Sequence, residues 1–250
     1  MIVFVSFWVL AALTFALRRS RSAALRRTGA EWILDTSGLL VQGLVIPALE
    51  ISLLYWLMRQ IAPEAKGRLA LSWAPANLLN FVVIDYLYYW NHRLLHSKRL
   101  WRTHALHHTA QQADVFIASR NTLWTPLLIV YVWANGICIF LLTDPAPFLA
   151  GAAITASLDL WRHTSFSPAP GSLLHRAASL LLITPHEHIW HHSSDRADKN
   201  FGANLSIWDR VHGTYWNPVD KPSRLGIPLP LGLGRKLLFP YSGEKRGSRQ

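Results

Sequence analysis

The sequence predicts an all-α, polytopic membrane protein with four to five transmembrane helices and a cytosolic histidine-rich helical cap. Three observations lead there. Hydrophobic residues make up 51% of the 250 residues, charged residues only 16%, and there are twelve tryptophans. The apolar residues form long runs, and crossing hydrocarbon as a helix takes about 20 of them. The histidines gather directly behind those runs.

Taken in order, residues 2–17 form a short apolar run followed by arginines. With no basic stretch before it and no convincing cleavage site after it, this run reads as a retained helix rather than a signal peptide. Residues 32–58 are long enough to tilt, or to break at Gly43 or Pro47. Residues 69–90 form the third span and continue as a helix into the cap. Residues 123–143 form the fourth and contain the single cysteine, Cys138, whose expected role is packing. Residues 145–161 are short and read as a span or a re-entrant segment. The chain divides into a transmembrane region (1–65), a catalytic domain (66–216) and a tail (217–250) rich in proline, glycine and basic residues. The tail is expected along the cytosolic interface or partly disordered, with residues 231–240 as a short interfacial anchor.

Charge sets the orientation. Five arginines follow the first run, five basic residues lie between Arg93 and Arg120, and twelve lie from Arg162 onward. The other side holds only Arg59, Lys66 and Arg68. The positive-inside rule then places the N-terminus outside and the histidine clusters and C-terminus in the cytosol. A net charge of +11 is explained by this topology and by anionic headgroups. Nucleic-acid binding is excluded, because the bases are spread over loops between apolar runs. One cysteine also excludes a disulfide framework, a rubredoxin-type site and a CxxC zinc site.

The histidines read His92-x-x-x-His96, His104-x-x-His107-His108 and His188-x-x-His191-His192, with His163 alone after the fifth run. Residues three and four apart share a helix face, so His92 pairs with His96, His104 with His107 and His108, and His188 with His191 and His192. Imidazole is a common neutral ligand for transition metals. Eight clustered histidines exceed what one ion takes, which is about three or four protein ligands. The pattern asks for two metals at a membrane surface. Asp85 lies seven residues before His92, inside the third run, and Asp159 one turn before His163. A carboxylate at membrane depth normally faces a partner, and metal-bound histidines often donate their second N–H to one. Asp85 and Asp159 are therefore expected to orient ligand rings from behind.

These residues resemble a known family. Tyr89-Trp-Asn-His92-Arg93-x-x-His96 and Leu100-Trp-Arg-x-His104-x-x-His107-His108 look like the first two boxes of the fatty acid hydroxylase/sterol desaturase superfamily. So do Thr184-Pro185-x-x-His188-x-x-His191-His192-Ser193, Asp198-Lys-Asn-Phe-Gly202 and Ile207-Trp-Asp-Arg210-x-x-Gly213-Thr214. The resemblance runs from about Asp85 to Trp216. It implies a histidine-ligated centre of two iron ions on the cytosolic face, and O₂-dependent hydroxylation or desaturation of a lipid C–H bond. Carried over, the ligands would be His92, His96, His104, His107, His108, His163, His188, His191 and His192, with no catalytic group beyond the metal centre. The segment Ser119-Arg120-Asn121-Thr122 departs from the family, where many relatives carry Arg-x-His-Pro, and this puts the substrate side of that loop in doubt.

Three histidines stand outside this set. His186 would line the substrate channel or support a ligand from behind, His175 would be interfacial, and His212 would serve packing. His186-Glu187 begins a zincin-like HExxH, but Trp190 stands where the second histidine belongs. The chain has no dinucleotide fingerprint and no cysteines for an iron–sulfur cluster. A separate electron donor follows, a ferredoxin or cytochrome b5-like protein with an NAD(P)H reductase. The basic residues Lys98, Arg99, Arg102, Arg196 and Lys199 either dock it or simply hold the topology. Two other classes stay open: a zinc-dependent membrane hydrolase on the same histidine scaffold, and a non-enzymatic metal-binding or transport protein.

Overall fold

A computed structural model describes residues 1–238 and Pro240. Among these residues all regular elements are helical, and β contacts are limited to isolated bridges such as Leu69 with Leu142 and Leu182 with Leu205.

The chain opens with α1 (Ile2–Ala16) and α2 (Arg18–Leu25), which bend by 96° at Leu17. The bend falls where the apolar run meets Arg18, Arg19 and Arg21, so the basic helix leaves the axis of the apolar one. Helix α3 (Gly29–Ile61) starts at a capping box, in which the Thr28 hydroxyl accepts from the Glu31 amide and the Glu31 carboxylate accepts from the Thr28 amide. It does not break at Gly43 or Pro47. A proline inside a helix lacks a donor and collides with the carbonyl four residues back. Here the turn before it widens to a π-helix (Val41–Val45), and the Ile46 amide reaches back to the Val41 carbonyl.

Helix α4 (residues 73–95) also contains a π-helical stretch, Leu79–Ile84, and ends in the first histidine box. The short α5 (Trp101–His104) runs into a 3-10 turn, His107–Thr109. Next come α6 (Val130–Leu141) and α7 (Ala146–Arg162), then α8 (Leu173–Leu181), α9 (Pro185–His191), α10 (Ile207–Val211) and α11 (Leu233–Leu238). Among the described residues one helix, α3, is long and apolar enough to cross a membrane; counting the bent α1–α2 pair as one span makes two. Helix α6 has 12 residues where the sequence suggested a full span, because residues 125–128 form a separate 3-10 turn.

Helix α1 packs along α7, with the Ser6 and Ser157 hydroxyls 3.1 Å apart and Ala11, Leu160, Val115 and Ala118 buried between them. The segment 115–119 also touches α3 so closely that a Cβ on Gly38 would lie 1.8 Å from the Ser119 carbonyl oxygen. Beside this contact sits a buried ionic network that sequence reading did not foresee. Arg27 grips Asp114 through both terminal nitrogens, at 2.8 and 2.6 Å, and donates from Nε to Asp35 at 2.8 Å. Arg120 holds the same Asp35 at 2.6 and 2.9 Å.

The described tail is part of the cap. The Gly226 and Ile227 amides donate to the His192 and His108 carbonyls, at 3.1 and 2.8 Å. The Leu123 amide donates to the Leu237 carbonyl at 2.9 Å. Residues 241–250, with Lys245 and Arg246, lie outside the described residues.

Candidate metal centre

The ends of four helices converge. Helix α4 brings His92 and His96, α5 and the turn after it bring His104, His107 and His108, α7 ends on His163, and α9 brings His188, His191 and His192. Their ring nitrogens form two groups, each with one atom per residue within 4.8 Å of all the others: His92, His96, His104, His108 and His191, and His107, His163, His188 and His192. All nine histidines expected as ligands fall into these groups, and no other described residue does.

The partition differs from simple face-sharing. The pairs four apart stay together: His92 with His96, His104 with His108, His188 with His192. The members three apart cross over, His107 away from His104 and His191 away from His188. Neighbouring residues on a helix point about 100° apart, so each adjacent pair, His107-His108 and His191-His192, straddles the two groups.

Hydrogen bonding decides what these rings can do. His92 Nδ1 lies 2.8 Å from the Phe201 carbonyl and His191 Nδ1 lies 2.7 Å from the Lys199 carbonyl. A carbonyl only accepts, so in a neutral ring each Nδ1 carries the proton and each Nε2 is left as a lone pair. Those two Nε2 atoms are 3.1 Å apart. His163 is fixed in the same way by the Asp159 carbonyl at 2.7 Å, and its Nε2 lies 3.0 Å from His188 Nε2 and 3.2 Å from His107 Nε2. Facing lone pairs repel unless a cation sits between them. Metal–imidazole bonds of ~2.1 Å meeting at right angles would separate ligand nitrogens by ~3.0 Å, so the spacing suits the edges of a coordination shell.

Burial also keeps the rings uncharged. His92, His104, His107, His108, His188 and His192 are all pushed well below the ordinary imidazole range by loss of solvent, then by one another. His163 falls to about 3 and His191 to about 4 from the same first cause. Neutral imidazole is the form that binds metal. His96 Nε2 is buried without a hydrogen-bond partner, as are both ring nitrogens of His108, one of which in the neutral ring is a lone pair open to an ion. The donor set fits two late first-row transition metals and offers neither thiolate nor carboxylate.

The two aspartates expected to orient ligands act differently from a direct carboxylate–imidazole bond. Asp85 accepts from the Asn204 amide (3.0 Å) and side chain (2.7 Å), Tyr131 (3.2 Å), the Leu205 amide (3.1 Å) and the Trp208 indole (3.0 Å). It anchors the strap after Phe201 and touches no histidine ring through these bonds. Asp159 does meet His163, but through its backbone carbonyl; its carboxylate is taken by Arg162 and stays 3.6 Å from the ring. His186 belongs to neither group, and its Nε2 lies 2.6 Å from the Pro218 carbonyl. His175 is buried, 3.3 Å from the Ser179 hydroxyl, where an interfacial place was expected. His212 stacks on Tyr89, ring centres 5.0 Å apart.

The fatty acid hydroxylase profile matches residues 77–214, and every one of the nine clustered histidines lies inside that range. The chain belongs to the fatty acid hydroxylase family. Among curated relatives, it is 36% identical to an ornithine lipid hydroxylase of Rhizobium tropici over 68% of this chain and 51% of that protein. It is 31% identical to an alkylglycerol monooxygenase of Danio rerio, over 62% of this chain and 33% of that one. It is 26% identical to a very-long-chain aldehyde decarbonylase of Arabidopsis thaliana, over 67% and 28%. The chain thus spans about half the length of the first of these, and less of the others. No solved structure matches it significantly.

Within the family segment, two supports escaped sequence reading. Asp209 accepts from the Phe201 amide (2.8 Å), the Gly202 amide (2.7 Å) and the Thr214 hydroxyl (2.6 Å). Asn200 adopts φ 55°, the left-handed region that Asn enters more readily than most residues. Its side chain donates to the Glu187 and Trp216 carbonyls and accepts from the Trp216 amide. Together they fix residues 199–201, whose carbonyls set the tautomers of His92 and His191. The available signal was the Asp198–Gly202 and Ile207–Thr214 motifs, which show position but not partner.

Proposed function

We propose that this protein is a membrane-bound non-haem di-iron oxygenase that hydroxylates or desaturates a lipid C–H bond with O₂ and electrons from a separate donor. The observation carrying this reading is the sorting of nine uncharged imidazoles, eight buried and that of His96 partly so, into two groups with lone pairs turned inward. His92, His96, His104, His108 and His191 would hold one ion, and His107, His163, His188 and His192 the other. Iron bound there would supply the O₂ activation needed to attack an unactivated C–H bond.

The chain's own residues supply position and environment. The carbonyls of Phe201, Lys199 and Asp159 hold three rings in the metal-binding tautomer, and burial excludes water and protons from the ligands. A membrane setting, with four to five spans, the N-terminus outside and the cap in the cytosol, accords with the apolar side chains left exposed. These include Leu44, Ile51 and Trp56 on α3, and Leu173, Leu174, Leu180 and Leu181 on α8. The named relatives act on an ornithine lipid and an alkylglycerol; the class shared with this chain would be a membrane lipid with a long apolar chain. The exposed Lys98, Arg99 and Arg196 would receive an acidic ferredoxin or cytochrome b5-like donor.

The deciding experiment is metal analysis of detergent-purified protein, wild type beside His107→Ala, with iron supplied during expression. About two irons per wild-type chain, with less iron in the variant, are expected, followed by an O₂-dependent product in lipid extract given a reductase system, heavier by one oxygen for hydroxylation or lighter by two hydrogens for desaturation. Zinc retained through iron-replete anaerobic purification would favour a hydrolase, and no bound metal would end the reading.

A further inference from the structure

Helix α8 is built inside out. Its buried face carries the polar side chains of His175 and Ser179, whereas Leu173, Leu174, Leu180 and Leu181 stand 66–84% exposed. At about 100° per residue the four leucines fall on one side of the helix, with the exposed Arg176 at its edge. The buried polar groups hold that orientation. The Ser179 hydroxyl donates to the Glu187 carboxylate on α9 at 2.6 Å, and His175 Nδ1 accepts from the Gly171 amide at 3.3 Å. Turning the leucines inward would break both bonds and bury nothing polar in their place.

Helix α10 repeats the pattern. Ser206 at its N-cap and Asp209 are buried, while Ile207 and Val211, one turn apart, are 47% and 67% exposed. The two helices are locked together. The Ser206 amide donates to the Leu181 carbonyl at 2.9 Å, and the Ser179 carbonyl accepts from both the Ser206 hydroxyl and Arg210, each at 2.9 Å. The six aliphatic side chains thus belong to one ridge on the cap.

A cluster of exposed aliphatic side chains calls for a partner, and its chemistry selects lipid. Protein interfaces centre on aromatic and arginine anchors, whereas the six side chains here are all aliphatic. On these two helices the exposed charges are Arg176 and Arg210, and the single acid, Asp209, is buried; that balance suits anionic headgroups. The ridge is also continuous with the outer face of α4. Trp208 of α10 packs on Tyr86, ring centres 4.7 Å apart, and the exposed Trp90 packs on His212 at 4.9 Å. Tyrosine and tryptophan collect where membrane meets water, so these rings mark that level beside the ridge.

We propose that the α8–α10 ridge lies in the plane of the cytosolic leaflet, its aliphatic side chains sunk about 5–10 Å into the boundary between headgroups and acyl chains. It is a lipid-binding face of the cap itself and not a further span. This rests on the membrane setting proposed above. Helix α9, which carries His188, His191 and His192, follows α8 after only Leu182, Ile183 and Thr184. Insertion of the ridge therefore seats a metal-binding helix at the surface that a lipid substrate leaves.

Depth-dependent fluorescence quenching tests this on the full-length chain. Leu174→Cys, Leu181→Cys and Val211→Cys are made one at a time in a Cys138→Ala background and labelled with an environment-sensitive fluorophore. Two further variants serve as references: Ser194→Cys on the exposed polar surface, and Leu44→Cys on the exposed side of α3. All are placed in nanodiscs of phosphatidylcholine and phosphatidylglycerol, which leave both faces open to solutes. Labels at 174, 181 and 211 should be quenched by lipids spin-labelled high on the acyl chain, and by aqueous iodide several-fold less than the label at 194. The label at 44 should respond to lipids spin-labelled near the chain end. Iodide quenching at 174 and 181 as strong as at 194 overturns the ridge, and so does shielding from both iodide and lipid, which would mean that protein covers it. In either case a lipid-quenched label at 44 leaves the membrane reading standing. Iodide reaching position 44 as well overturns both.

Discussion

His92 and His191 face each other with their Nε2 atoms 3.1 Å apart, each having given its only ring proton to a carbonyl two residues from the other's. The carbonyls belong to Phe201 and Lys199, so one short strap presets two ligands on different helices. Neither ring can hydrogen-bond the other without a second proton, which burial opposes. The pair is built for a cation.

Replacing His191 by Ala should therefore weaken the five-histidine ion selectively, while His107→Ala weakens the other. Two metals per chain should fall to about one after a mild chelator challenge in either variant. Metal analysis before and after the challenge checks this; a His191→Ala protein that keeps both ions would show that the grouping is wrong.

How much of this was visible in the sequence follows from the range of each interaction. Eight of the nine clustered histidines were legible because helical i, i+3 and i, i+4 spacing is local and imidazole chemistry is specific, whereas His163, alone after its run, entered through the family resemblance. Their division was not, since the assignment of His107 and His191 depends on how α5, α7 and α9 converge. Asp85 was legible as a buried acid in need of partners, but its partners lie about 120 residues on, at Asn204, Leu205 and Trp208. The Arg27–Asp114 bond closes a separation of 87 residues, and no local pattern marks it. Helix lengths were misjudged where apolar composition continued past a turn, as at residues 123–143.

Acid should unfold the metal-free protein early. In the unfolded chain each histidine titrates near 6.5, whereas in the fold His163 is lowered to about 3 and His191 to about 4 by burial. Between those values the unfolded state binds more protons, so stability is full above pH 6.5 and falls as the pH drops. Each such group contributes a loss of about 1.4 kcal/mol per pH unit, and several together consume the ~5–15 kcal/mol of a typical domain. Melting curves of chelator-treated protein should show a steep fall in Tm between pH 7 and 5. Bound metal should hold the curve flat until protons displace it; a pH-independent Tm of the metal-free form would contradict the buried neutral state.

The network of Arg27, Asp35, Asp114 and Arg120 balances two cations against two carboxylates away from water. Removing one member leaves an unpaired buried charge, which costs about 3–5 kcal/mol. Asp114→Ala should lower Tm by on the order of 10 °C. Removing Arg27 together with Asp114, as Arg27→Met and Asp114→Leu, leaves the neutral Asp35–Arg120 pair and should restore most of the loss. A double variant no more stable than Asp114→Ala would mean that shape, not charge balance, governs this joint.

Asp209 tests whether the strap matters to the metal. Its carboxylate collects the Phe201 and Gly202 amides and the Thr214 hydroxyl, and Phe201 in turn fixes the His92 ring through its carbonyl. Asn at this position keeps the size but presents an NH₂ to donors that need an acceptor. The strap then shifts or one amide goes unpaired, and the His92 Nδ1 proton loses its fixed acceptor. Groups that support metal ligands from behind typically contribute 10–100-fold in affinity. Asp209→Asn is expected to lose metal within that range from the five-histidine group, with the four-histidine ion spared, because His163 takes its tautomer from Asp159 instead. Chelator competition resolves the two ions by affinity. Equal weakening of both would show that the strap supports the cap as a whole rather than one ligand ring.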